Sequence, residues 1–75
     1  MVAKIRDQDY IIAFGTNLRK VRKSKNMSMT QLANICNIEY RQVADIELGK
    51  INTTISTVKA LALALDLMPK DLFEF

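Results

Sequence analysis

Three cations, Arg19, Lys20 and Lys23, share one face of a predicted helix and point away from the apolar stripe Ile11, Phe14, Leu18 and Val21, which recurs at ~100° per residue. Such a face attracts polyanions. Just beyond it stand Ser28 and Gln31, a serine able to cap a helix and a glutamine able to bond back to the cap. The chemistry on offer is electrostatic attraction and hydrogen bonding. Covalent and metal chemistry have little to work with, because the chain holds no histidine and one cysteine, Cys36, which cannot form an internal disulfide. Cys36 falls on an apolar stripe with Leu32 and Ala33, where a thiol serves as packing. No catalytic group, metal site, cofactor or small-molecule ligand is evident, and an enzyme is not expected.

The elements that hold these residues follow from periodicity and punctuation. A first helix is predicted from about Asp9 to Lys25, with Asp7 or Asp9 at its start, basic residues in its last turn and Asn26 ending it. Gly15 inside it signals close backbone packing or a weak point. A second helix begins at Met29 and stops at Asn37, which tolerates the left-handed conformation. A third starts at about Tyr40, repeats through Val43, Ile46 and Glu47, and ends before Gly49. Two short helices joined by so tight a turn form the layout that carries one helix into a DNA groove. Thr54 caps a fourth helix, about Ile55 to Leu65, with Val58, Leu61, Ala62 and Leu65 inward. Pro69 opens a short fifth helix, with Leu72 and Phe73 returning to the core.

At 75 residues, with 49% hydrophobic and 25% charged side chains, the chain reads as one all-α domain over 1–75, a compact five-helix bundle. Residues 1–8 read as a flexible or helix-extending N-terminal arm. The net charge of +3 is uneven: residues 1–26 carry +5, residues 27–48 carry −2 and the remainder is neutral. The greasy run at 58–68 is too short for a membrane span, which needs about 20 apolar residues, and it contains Lys59 and Asp66. The polar residues 1–9 do not resemble a signal peptide, and a cytoplasmic location without membrane contact is expected. Arg22 sits at the border of the first helix's stripe, where a partly exposed guanidinium favours a carboxylate partner.

Taken together, FGTNLRKVR at 14–22, SMTQLANICNI at 28–38, VADIELGK at 43–50 and TVKALALALDLMPKDLF at 57–73 resemble the Cro and phage-repressor type of helix-turn-helix domain, the Xre family. The resemblance spans residues 13–73 and points to the small stand-alone bacterial regulators of that family. It implies a lambda-repressor-like five-helix domain whose third helix enters the major groove of double-stranded DNA. Glu39, Tyr40, Arg41, Ala44 and Asp45 then match the base-reading positions. Arg41 is the strongest of these, since a guanidinium bonds guanine O6 and N7 in pairs. The start of the second helix, at Ser28 and Met29, matches a phosphate site built from free backbone N–H groups. Lys50 and Asn52 match the backbone-contact loop. The resemblance also implies an ion pair between Arg22 and Glu47.

The departures from the family are chemically informative. Met29 replaces a phosphate-bonding glutamine, leaving only its backbone N–H; Asn37 replaces the turn glycine, Thr53 a proline and Ala44 a serine. Glu39 and Asp45 oppose phosphates, although a carboxylate accepts from cytosine N4. The leading expectation is a sequence-specific transcriptional regulator, a homodimer on a two-fold symmetric operator, with Phe73 or Phe75 in the LFEF terminus able to pack on a partner. The acidic third helix also suits a second class, a protein-interaction module on the same scaffold, such as an antitoxin or antirepressor component.

Overall fold

The computed structural model describes residues 5–75; the first half of the segment read as an arm, residues 1–4, lies outside the described residues. Four α-helices and one 3-10 helix follow in order: α1 (Gln8–Ser24), α2 (Met29–Cys36), α3 (Tyr40–Glu47), α4 (Ile55–Ala64) and the 3-10 helix Pro69–Phe73. The expected fifth α-helix is therefore a 3-10 helix. Pro69 starts it and the Asp71 carboxylate accepts from the Met68 N–H at 2.9 Å. These are signals shared by any helix start, but five residues are too few to establish the α-helical ladder.

Three of the four α-helices begin at a side-chain cap, and all four end at a local turn. The Asp7 carboxylate caps α1 by accepting from Tyr10 N–H at 3.0 Å, Ser28 and Gln31 close a reciprocal capping box on α2, and Thr54 caps α4. All four α-helices leave through one left-handed residue: Asn26, Asn37, Gly49 and Asp66 have φ of 56°, 56°, 72° and 58°. In each case the next amide reaches back to a carbonyl five residues earlier, as in Met27 to Arg22 (3.2 Å), Ile38 to Ala33 (3.0 Å), Lys50 to Asp45 (2.9 Å) and Leu67 to Ala62 (2.8 Å). This Schellman geometry satisfies carbonyls that a helix end otherwise leaves bare.

The helices enclose one core. Phe14 and Leu18 from α1, Leu32 from α2, Val43 and Ile46 from α3, and Leu61, Leu65 and Leu72 from the C-terminal third are all buried. Ile11, Val21 and Cys36 are only half-buried. Phe73 departs from expectation: it remains 41% exposed, because it packs at the rim on Phe14 with ring centroids 5.0 Å apart. A buried amide, Asn17, donates to the Leu72 carbonyl at 2.9 Å and fastens the 3-10 helix to α1.

Cys36 lies against α4, its thiol 3.4 Å from the Ala60 carbonyl oxygen. Burial raises its pKa above the ordinary thiol value, so the nucleophilic thiolate is scarce at neutral pH. Iodoacetamide is expected to alkylate the folded protein at least tenfold more slowly than the urea-unfolded chain; equal rates would contradict this packing.

Candidate nucleic-acid interface

Helix α3 is pinned along its inner face and bare along its outer one. Val43 and Ile46 enter the core, and Glu47, only 7% exposed, meets Arg22 of α1, only 6% exposed. The pair is bidentate: Arg22 Nε donates to Glu47 Oε2 at 2.6 Å and Nη2 donates to Oε1 at 3.0 Å. Nη1 donates to the Met27 carbonyl at 2.7 Å, so one guanidinium ties α1, the α1–α2 turn and α3 together. The bond to Glu47 raises the Arg22 pKa above its ordinary value against the opposing cost of burial. Arg22, read from the sequence as partly exposed, is thus a core group and is removed from any surface contact. Gly15 completes the junction, since a Cβ there would collide with the carbonyl oxygens of Ile46 and Glu47.

The outer face of α3 carries the residues singled out for base reading. Glu39 does not lie on the helix; it is the N-cap residue and makes no side-chain capping bond. Tyr40 is half-exposed, Ala44 and Asp45 are partly buried, and the Arg41 side chain is 83% exposed. Arg41 Nε stands 3.6 Å from Asp45 Oδ1. An exposed pair one turn apart is weak in water, so Asp45 orients the guanidinium loosely without neutralising it. Leu48, one turn beyond Ala44, continues this face and is exposed. The helical spacing of 41, 44 and 48 carries the signal for it in the sequence.

Flanking α3 are two backbone features. The capping box engages the Ser28 and Gln31 amides, which leaves the N–H groups of Met29 and Thr30 directed out of the α2 end, while the Met29 side chain packs against the core. Beyond α3, Lys50 and Asn52 are both exposed. The Lys50 amide closes the Schellman turn onto Asp45 at 2.9 Å. The Lys50 carbonyl accepts from Arg6 Nη2 at 3.3 Å, and the Gly49 carbonyl accepts from Gln8 Nε2 at 2.8 Å. Nothing in local spacing links Arg6 or Gln8 to a loop more than forty positions away. Among the described residues no cluster of metal-ligating side chains occurs, and no helix is long and apolar enough to cross a membrane.

A short α2, a turn through Asn37 and an α3 with a bare outer face define a helix-turn-helix domain. The sequence model of the HTH_3 helix-turn-helix family matches residues 18–72, and the chain belongs to that family. It is a DNA-binding transcription regulator. More particularly, it is similar to control protein C.BamHI of Bacillus amyloliquefaciens, with 37% identity over 65 residues that cover 85% of this chain and 80% of the relative. The restriction-modification controller protein C.AhdI of Aeromonas hydrophila has the same fold, with a TM-score of 0.83, 33% identity, and coverage of 84% of this chain and 96% of that one. An HTH_3 family transcriptional regulator from Vibrio cholerae superposes with a TM-score of 0.85 over 91% of this chain and 38% of its own length; at 24% identity it speaks for the fold.

Proposed function

We propose that this chain acts as a homodimer on a two-fold symmetric operator, that α3 enters the major groove, and that the genes it controls belong to a restriction-modification system. The last element rests on the similarity to the two controller proteins. The rest is carried by one observation: the exposed Arg41 guanidinium sits on a helix whose opposite face is locked by a buried ion pair. A firmly anchored helix with an exposed bidentate donor on its free side can discriminate guanine at little ordering cost to the backbone. In this reading Tyr40, Ala44, Asp45 and Glu39 line the groove around Arg41, and Leu48 offers an apolar contact to a thymine methyl. The N–H groups at Met29, the Ser28 hydroxyl, Lys50 and Asn52 take phosphates on either side.

The second copy is assigned to the aromatic end. Tyr10 packs on Phe75 with centroids 5.2 Å apart, yet Tyr10, Phe73 and Phe75 all remain substantially exposed. Beside them lies an apolar groove of about 220 Å³ bounded by Phe14, Ile55 and Val58. Paired α3 helices in this family of folds reach half-sites about 34 Å apart.

Selection of bound duplexes from a random pool tests the reading, and a two-fold repeat in the selected sequences is the expected result. On the selected site Arg41→Ala is expected to weaken binding by about 1–3 kcal/mol and to abolish preference at one base pair of each half-site. Unchanged affinity and unchanged preference would remove Arg41 from base reading.

A further inference from the structure

One stripe of α1 meets the C-terminal end of α3 and the turn beyond it. Gln8, Ile12, Gly15 and Arg22 recur at helical spacing on a single side of α1. Gln8 bonds the Gly49 carbonyl at 2.8 Å. Ile12 packs so tightly on Gly49 that a Cβ there would lie 2.6 Å from Ile12 Cγ1. Gly15 admits the Ile46 and Glu47 carbonyls, and Arg22 holds the Glu47 carboxylate. Just before the helix, Arg6 Nε donates to Gln8 Oε1 at 3.2 Å while its Nη2 reaches the Lys50 carbonyl at 3.3 Å. The Gln8 amide is thus used as both donor and acceptor, and two successive carbonyls of the post-α3 turn are held from the N-terminal segment.

We propose that Gln8, supported by Arg6, is a positioning residue for DNA binding: it fixes the 49–52 loop so that Lys50 and Asn52 meet phosphates, while Gln8 itself touches no DNA. This rests on the reading of that loop as a phosphate contact. Gly49 sits in a left-handed conformation at φ 72°, and a glycine hinge leaves the following peptide planes unusually free to rotate. The Schellman bond fixes the Lys50 amide. The carbonyls on either side are fixed by Gln8 and Arg6. A loop already ordered in free protein loses less entropy when a lysine at its start engages a phosphate.

The test compares the wild type with Gln8→Met, Lys50→Met and the double variant, measuring affinity for the selected duplex across a salt series and the melting temperature of each protein. Methionine keeps the length of Gln8 and removes its amide. Gln8→Met is expected to weaken binding about fivefold and to lower the melting temperature by about 4–8 °C, so affinities are compared at temperatures where both proteins are fully folded. Its salt slope should fall toward that of Lys50→Met, which loses about one counterion. In the Lys50→Met background the Gln8 substitution should cost clearly less than in the wild type, retaining only the part that acts through Asn52. Arg6→Met should show the same dependence on Lys50. If Lys50→Met weakens binding but Gln8→Met leaves it intact, or costs the same factor in both backgrounds, the positioning role is overturned and the phosphate-contact reading stands. If Lys50→Met itself leaves affinity and salt slope unchanged, the loop reading falls and the positioning role falls with it.

Discussion

Glu47→Gln is expected to destabilise the domain by about 3 kcal/mol or more and to lower its melting temperature by roughly 12–25 °C. Glutamine preserves the shape of the side chain and one carbonyl acceptor but removes the negative charge. Arg22 would then sit 6% exposed, with its guanidinium still bonded to Met27 and no anion to balance it. The penalty is that of a stranded buried charge, which is why it exceeds the net worth of the pair. Two controls isolate the cause. Lys50→Ala, on the surface three residues further along, should hardly move the transition. Replacing both partners, as Arg22→Met with Glu47→Leu, should recover much of the loss, since matched apolar groups commonly substitute for a buried pair. Thermal unfolding followed by circular dichroism reads all three, and equally negligible shifts for Glu47→Gln and Lys50→Ala would reject the structural role. Because the Arg22 pKa is raised in the folded state, its contribution is complete below the unfolded-state value and is lost only as the pH rises through the guanidinium range. Titration through the lysine range therefore leaves it in place.

The second large effect concerns Gly15. Replacing a glycine inside an exposed helix with alanine usually stabilises it by about 1 kcal/mol. Here the sign reverses, because the new Cβ meets two backbone carbonyls, that of Glu47 at 2.8 Å and that of Ile46 closer still. Side chains can rotate away from such a contact; a helix terminus anchored by the core cannot. Overpacking costs about 1–3 kcal/mol and more where the neighbour is rigid, so Gly15→Ala should lose about 2 kcal/mol net. Urea unfolding measures that loss. A separate signature is expected in DNA binding, since relief of the clash requires α3 to move away from α1. Weakened affinity at temperatures where the variant is fully folded would show that displacement, whereas a more stable variant with unaltered binding would contradict the packing.

Much of this arrangement could be read from the residues, and the parts that could not share a cause. Capping and termination are local, so Ser28, Thr54, Asn26, Asn37 and Gly49 announced the helix ends. Asp66 performs the same left-handed turn, but aspartate within a run of leucines offers no comparable punctuation. The type of the last helix was not legible, because proline followed by an acid marks a start and says nothing about which ladder follows. The full burial of Arg22 depends on a carboxylate 25 positions away. The bonds from Gln8 to Gly49 and from Asn17 to Leu72 span 41 and 55 positions. Periodicity reports which face of a helix is apolar; it does not report which distant carbonyl a polar side chain on that face will find. Along α3, spacing located the outer face, and a helix starting at Tyr40 already leaves Glu39 at the cap; the exposure of Leu48 depended on how far that face continues past the last helical residue.

The brevity of α3 limits how much sequence one copy can tell apart. Its eight residues span about 12 Å at 1.5 Å per residue, the length of about four base pairs at 3.4 Å each. Four fully specified pairs single out one sequence in about 256, against the roughly 10⁶ or more competing sites of a genome. In the proposed arrangement of two copies on a symmetric operator this would rise to one in about 65,000. In that arrangement the remaining discrimination would come from the shape and stiffness of the DNA between the half-sites. On the proposed reading, a helix this short makes addressing a genome a task for more than one copy and for the duplex itself.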